Sequence, residues 1–110
     1  MLIHGIKVQG AIDHETRCKH YHSDLDRVAI KFYCCDHYYP CIQCHDEYRC
    51  SERKVWPRNK FHEKAILCGS CGEELTIYDY LDCNDQCPTC RSNFNPGCSW
   101  HAHYYFQMDK

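Results

Sequence analysis

The chain has 110 residues, which allows one folding unit, since domains most often run to about 100–150 residues. Leu, Ile, Val and Phe supply only 19 of them, or 17%. That is too few for a conventional core to offset roughly 1–2 kcal/mol of backbone ordering per residue. Thirteen basic against 15 acidic residues leave a net charge of −2, which excludes self-repulsion as the reason, while 12 Cys and nine His offer disulfides or metal as the substitute for a core.

In chain order, the opening Met1-Leu2-Ile3-His4-Gly5-Ile6-Lys7 has neither the basic stretch nor the apolar run of a secretory signal. No window approaches the ~18 apolar residues of a membrane span. Alternation through Ile6-Lys7-Val8-Gln9 and then Ala11-Ile12-Asp13, broken at Gly10, predicts a short strand or hairpin lying on the metal-bound part. Residues 18–50 form a dense block of six Cys and four His. Within it, residues 26–33 read as a strand with Val28, Ile30 and Phe32 on one face. Residues 51–66, basic and centred on Trp56-Pro57-Arg58, read as a connector. The second block follows, with Thr76 as the hydroxyl cap of a brief helix over Ile77-Tyr78-Asp79-Tyr80-Leu81. Residues 93–97 read as a turn and 101–106 as a final strand.

The metal reading rests on spacing. Cys41-x-x-Cys44, Cys68-x-x-Cys71 and Cys87-x-x-Cys90 are three C-x-x-C units, and two intervening residues let both sulfurs reach one tetrahedral ion about 2.3 Å away. Disulfides would leave the histidines without a role, and with neither signal pattern nor span the chain reads as intracellular and cytoplasmic, where thiols stay reduced and Cys spacing reads as metal binding. Cys68, Cys71, Cys87 and Cys90 have the form of a closed four-thiolate zinc ribbon or knuckle, with Gly69 and Gly72 easing the first turn and Pro88 stiffening the second. A closed site is structural rather than catalytic. In the first block Cys44 and His45 are neighbours, and on extended backbone neighbours face opposite ways. They therefore serve different ions.

Cys18-x-His20-Tyr21, then Cys34-Cys35, Cys41-x-x-Cys44-His45 and two later C-x-x-C units resemble the CHY-type zinc finger over roughly residues 14–106. That family includes the front domain of certain RING ubiquitin ligases, small helper proteins of the mitochondrial intermembrane space, and short stand-alone bacterial members, the type this chain is similar to. The resemblance implies three zinc ions. One would take Cys18, His20, Cys41 and Cys44. A second would take Cys34, Cys35, His45 and a fourth ligand. Where the family offers a His, Ser51 stands here, so Cys50 is the expected replacement and His62 the reserve; the partition of the eight between two ions stays open.

Cys83 and Cys98 are left over. Cys98 and His101 could form half of a further site with Cys83 or His103, and His22 is a fallback ligand. His4, His14 and His37 read as surface residues. Tyr33, Tyr38, Tyr39, Tyr78, Tyr80, Tyr104 and Tyr105 are expected to pack over the sites. Ten thiolates on three divalent ions would move the net charge from −2 to roughly −6. That argues against nucleic acid despite Arg49, Arg53, Lys54, Arg58, Lys60 and Lys64 around Trp56. A hydrolase would need an open site with Asp46 or Glu47 as base.

The sequence therefore predicts a small, irregular, zinc-stabilised domain of short strands and knuckles with little helix. It spans residues 1–110, with two interleaved sites in 14–50, the connector in 51–66, and the four-cysteine site and last strand in 67–106. The expected role is a non-enzymatic protein-interaction module with a protein partner. The alternative, implied by the resemblance, is a thiol-redox or zinc-handling helper.

Overall fold

The computed structural model describes residues 2–21, 24–47, 54–94 and 105–107. The hairpin forms earlier than the alternation over residues 6–13 suggested, as β1 (Leu2–Ile3) against β2 (Ile6–Lys7), antiparallel with Ile3 opposite Ile6. Its two-residue turn has His4 at φ 50° and Gly5 at φ 84°, the left-handed pair whose twist matches that of the strands it joins. Just beyond it, Val8 bridges to Tyr38 and the Gln9 N–H donates to the Tyr38 carbonyl (3.0 Å).

The predicted strand at 26–33 is β3 (Val28–Lys31). It sits inside an antiparallel sheet with β4 (Tyr38–Tyr39), β5 (Lys64–Cys68) and β6 (Glu74–Thr76), in the order β4-β3-β5-β6. The two cysteine-rich blocks thus share one sheet, with Val28 opposite Cys68 and Ile30 opposite Ile66. The expected connector is less separate than its composition suggests, because β5 begins inside it. Trp56, 6% exposed, is stitched to the C-terminal segment by Trp56 N–H to the Tyr105 carbonyl (2.9 Å) and Gln107 N–H to the Trp56 carbonyl (2.8 Å). Its indole N–H donates to the Lys31 carbonyl at 2.7 Å. A ring so placed cannot stack on a base.

Strand alternation divides the buried side chains between two faces. Val28, Ile30, Phe32, Tyr39, Ile66, Cys68 and Leu75 join the larger cluster, which also holds Trp56, Phe61, Ile77, Phe94 and Phe106. Ala29, Tyr38 and Leu67 face the other way and are covered by Ile3 and Val8. The aliphatic count is thus spent on two thin layers either side of one short sheet. Tyr38, at 5% exposure, donates its hydroxyl to Glu74 Oε1 (2.9 Å). Burial first, then the Glu74 carboxylate, pushes that phenol above its ordinary value.

Two short α-helices and a single 3-10 turn at Arg58–Lys60 complete the described residues. The sequence reading of Cys44 and His45 as extended backbone is corrected here, because both lie in α1 (Ile42–Glu47). On a helix, successive side chains diverge by about 100°, and that is how they reach different clusters. The Ile42 N–H at its start donates to the Tyr105 hydroxyl (3.2 Å). The second helix, α2 (Ile77–Leu81), has the expected cap, with Thr76 Oγ1 accepting from the Asp79 N–H at 3.0 Å. The predicted turn at 93–97 and final strand at 101–106 fall mostly outside the described residues; of the strand, Phe106 is seen bridging to Trp56.

Candidate metal centre

Three groups of Cys and His side chains converge: Cys18, His20, Cys41 and Cys44; Cys34, Cys35 and His45; and Cys68, Cys71, Cys87 and Cys90. Within each group all ligand atoms lie within 4.8 Å of one another. The fold explains the placement. Cys34 and Cys35 occupy the β3–β4 turn, closed by Phe32 N–H to the His37 carbonyl (3.0 Å) and with Asp36 at φ 61°. Cys68 ends β5 and Cys71 lies in the turn that follows it toward β6. Because β3 and β5 are antiparallel with Val28 opposite Cys68, these two turns lie at opposite ends of the sheet.

The first group has the dimensions of a tetrahedral zinc site. With zinc–sulfur near 2.3 Å and zinc–nitrogen near 2.0–2.1 Å, tetrahedral edges come to about 3.8 Å for S–S and about 3.6 Å for S–N. The Cys18 and Cys41 sulfurs are 3.7 Å apart, and His20 Nδ1 lies 3.8 Å from Cys18, 3.5 Å from Cys41 and 3.5 Å from Cys44. Backbone N–H groups turn toward the sulfurs, Tyr21 to Cys18 and Cys44 to Cys41, each at 3.4 Å. Hydrogen bonding with Cys41, then Cys44, holds the Cys18 thiol far below its ordinary value, and the same contact pushes Cys41 up to about 11. A divalent cation would replace those shared protons.

His45 is fully buried, and its ring stacks on Phe32 with centroids 4.1 Å apart and planes 9° from parallel. Tyr39 meets the same ring edge-on at 5.2 Å. Its Nε2 stands 3.2 Å from Cys34 Sγ. The expected fourth member, Cys50, lies outside the described residues, as do His22, Cys98, His101 and His103. The reserve, His62, does not join the group: it is exposed and pairs with Glu63 at 3.4 Å. Of the predicted shielding tyrosines, Tyr39 and Tyr105 pack beside His45 and Phe32. Tyr38 lies on the opposite face of the sheet, Tyr33 and Tyr78 are exposed, and Tyr104 lies outside the described residues.

In the third group Cys68 and Cys90 are 3.8 Å apart, as are Cys71 and Cys87, the tetrahedral S–S edge again. Its two halves share one backbone plan. Cys68 N–H donates to the Glu73 carbonyl (3.0 Å) and Gly72 N–H to the Cys68 carbonyl (2.8 Å). Nineteen positions on, Cys87 N–H donates to the Ser92 carbonyl (2.9 Å) and Arg91 N–H to the Cys87 carbonyl (2.9 Å). Both fifth residues are left-handed, Gly72 at φ 82° and Arg91 at φ 65°. Gly72 has a further reason to lack a Cβ, which would strike the His4 ring. Gly69 is needed for space alone, since a Cβ there would run into the Glu15 backbone carbonyl. His4, exposed as expected, also sets its Nε2 3.2 Å from the Gly69 carbonyl. Burial pushes the Cys68 thiol up, whereas at Cys90 the Ser92 hydroxyl and N–H outweigh slight burial and bring the thiol down to about 6.

Sequence reasoning named Asp46 and Glu47 only as bases for a hydrolase. Their role here is different. Glu47 Oε2 is 3.1 Å from His20 Nε2, the ring nitrogen turned away from the sulfurs, while Glu47 Oε1 is 3.2 Å from Lys19 Nζ. Asp46 Oδ1 is 3.1 Å from His45 Nδ1. Carboxylates so placed fix the tautomer and direction of a ligating imidazole. The string His45-Asp46-Glu47 beside the ligands was the available signal.

The CHY zinc-finger family model matches residues 18–96. The chain belongs to the CHY zinc-finger family. It is 42% identical over 99 residues to Helper of Tim protein 13 of Saccharomyces cerevisiae, covering 87% of this chain and 85% of that protein. It is 41% identical to the protein of that name from Kluyveromyces lactis (89% and 85% covered) and 43% identical to an uncharacterized protein of Schizosaccharomyces pombe (87% and 84%). The three groups are consistent with three zinc sites, in a zinc-finger module rather than an enzyme fold. No helix of the described residues is long and apolar enough to cross a membrane.

The cytoplasmic expectation is corrected by the two matches to Helper of Tim protein 13, a protein of the mitochondrial intermembrane space rather than the cytoplasm. The expectation rested on the want of a secretory signal pattern or a membrane span, and neither feature separates the cytoplasm from the intermembrane space. A thiolate held by zinc is protected where it stands, so ligand cysteines do not report the redox poise around them.

Proposed function

We propose that this protein is a zinc-handling or thiol-redox helper that acts on cysteine-bearing partner proteins of the mitochondrial intermembrane space. The observation that carries this is the match along 87% of the chain to a protein named Helper of Tim protein 13. A chain so rich in thiolate ligands supports it chemically, because sulfur ligands can be exchanged one by one with the thiols of another protein. The same match favours an active helper over a passive interaction module.

On this reading the ligand sets are Cys18, His20 through Nδ1, Cys41 and Cys44; Cys34, Cys35 and His45 through Nε2, with Cys50 as fourth; and Cys68, Cys71, Cys87 and Cys90. Residues 1–110 act as one unit. Cys83, half-buried with its thiol donating to the Tyr80 carbonyl at 3.0 Å, stands outside the three groups.

The test mixes partly zinc-depleted protein with a zinc-bound peptide carrying paired cysteines and follows the metal by native mass spectrometry. Zinc should leave the peptide as its free thiols rise. If no zinc moves in either direction while each species binds zinc alone, the reading fails.

A further inference from the structure

The four-cysteine site is not equally protected on all sides. Cys68 and Cys87 are fully buried and Cys71 is half-buried, while Cys90 is the one exposed cysteine among the described residues. The backbone beside it is also the less comfortable of the two matched turns. Where the first turn places Gly72 in the left-handed region, the second places Arg91, whose Cβ is crowded there. The Cys90 sulfur also has a partner outside the group of four, its thiol donating to Ser92 Oγ at 3.3 Å, and Ser92 Oγ in turn donating to Ser70 Oγ at 3.0 Å.

We propose that zinc exchanges at this site through Cys90, the ligand that yields first to an incoming cysteine thiol of a partner protein. This rests on the zinc-handling reading and assigns its route. In the exchange the incoming thiol gives up its proton and its sulfur bonds to zinc from the exposed side. Zinc sites tolerate a fifth ligand in passing. The Cys90–zinc bond then breaks, and the Cys90 thiolate takes up a proton in place of the one released. No electrons change hands, so no oxidant is required. Cys68, Cys71 and Cys87 keep hold of the metal until further partner thiols replace them. The burial of Cys68 and Cys87, with the hydrogen bonds that close both turns, prevents loss of zinc to water in the interval.

The test uses the zinc-loaded wild-type chain with limiting N-ethylmaleimide, and peptide mass spectrometry to rank the labelled cysteines. Cys90 should be labelled at least about tenfold faster than Cys68, Cys71 or Cys87, and excess free zinc in the buffer should leave its rate unchanged, because the metal need not depart for Cys90 to open. Labelling of Cys71 or Cys87 ahead of Cys90 would overturn the proposal. So would one common rate for all four that added zinc suppresses, which would mean complete metal loss comes first. The outcome is separable from that of the functional reading. Zinc transfer to or from a peptide without priority at Cys90 defeats the route alone. Priority at Cys90 without any transfer defeats the helper reading alone.

Discussion

Replacing Cys87 with Ser probes how far one metal site governs the whole fold. Cys87 is fully buried, its sulfur 3.8 Å from that of Cys71, and its N–H holds the Ser92 carbonyl at 2.9 Å. Serine keeps that backbone bond but removes a thiolate from the set of four. A structural zinc site supplies on the order of 10 kcal/mol, against a net stability for a small domain of only about 5–15 kcal/mol. The damage should not stay local. Cys68 of the same group ends β5 opposite Val28 of β3, and β3 also bears Lys31, whose carbonyl receives the Trp56 indole N–H at 2.7 Å. Losing the third site should therefore loosen β5, then β3, then Trp56. The assay is tryptophan fluorescence with native zinc counting. Cys87→Ser should bind one ion fewer than wild type, and its emission should shift to the red as Trp56 becomes wet. A variant with the wild-type spectrum and full zinc complement would refute the reasoning.

Further outcomes follow from the same geometry. Glu47→Gln removes the carboxylate charge that Lys19, then His20, hold below the ordinary carboxylate range; competition with a chelator should show roughly tenfold weaker zinc binding at the first group, with the other two unchanged. Gly69→Ala puts a methyl group against the Glu15 carbonyl and should cost about 1–3 kcal/mol by denaturant unfolding of the zinc-loaded protein. Tyr38 has its folded pKa raised, so its contribution is present below the unfolded value near 10.0 and is lost as pH climbs from there toward the folded value. Thermal melts should show the stability gap between wild type and Tyr38→Phe narrowing above pH 10; a gap that widens with rising pH would contradict the assignment.

What the sequence made legible was chiefly chemistry with a fixed spacing. The C-x-x-C pairs, the separation of Cys44 from His45 and the Thr76 cap all depend on a few adjacent residues; the structure brings the paired cysteines together, sets Cys44 and His45 in different groups and caps α2 with Thr76. The sheet was harder to read. Only β3 was named among its strands, because β4 and β6 are two and three residues long, too short to show alternation. β5 was hidden by composition: Ala65, Ile66, Leu67 and Cys68 are all buried, a continuous apolar run at the end of a stretch whose Lys and Arg suggested a linker. The burial of Trp56 depends on Tyr105 and Gln107, partners some fifty positions away that no local pattern announces. The carboxylates of Asp46 and Glu47 were visible as residues but not as braces, since their use follows from α1, and a six-residue helix is far below the length that stands alone. It is held by Tyr105 at its start and by the side chains that converge around it.

The account stands or falls on metal as the main restraint, and native mass spectrometry of the protein before and after chelation reads that directly. Three zinc ions on a compact, low-charge species are expected, giving way on stripping to zinc-free protein with the broad, high-charge distribution of an unfolded chain. Zinc-free protein that keeps the compact distribution at neutral pH would contradict it.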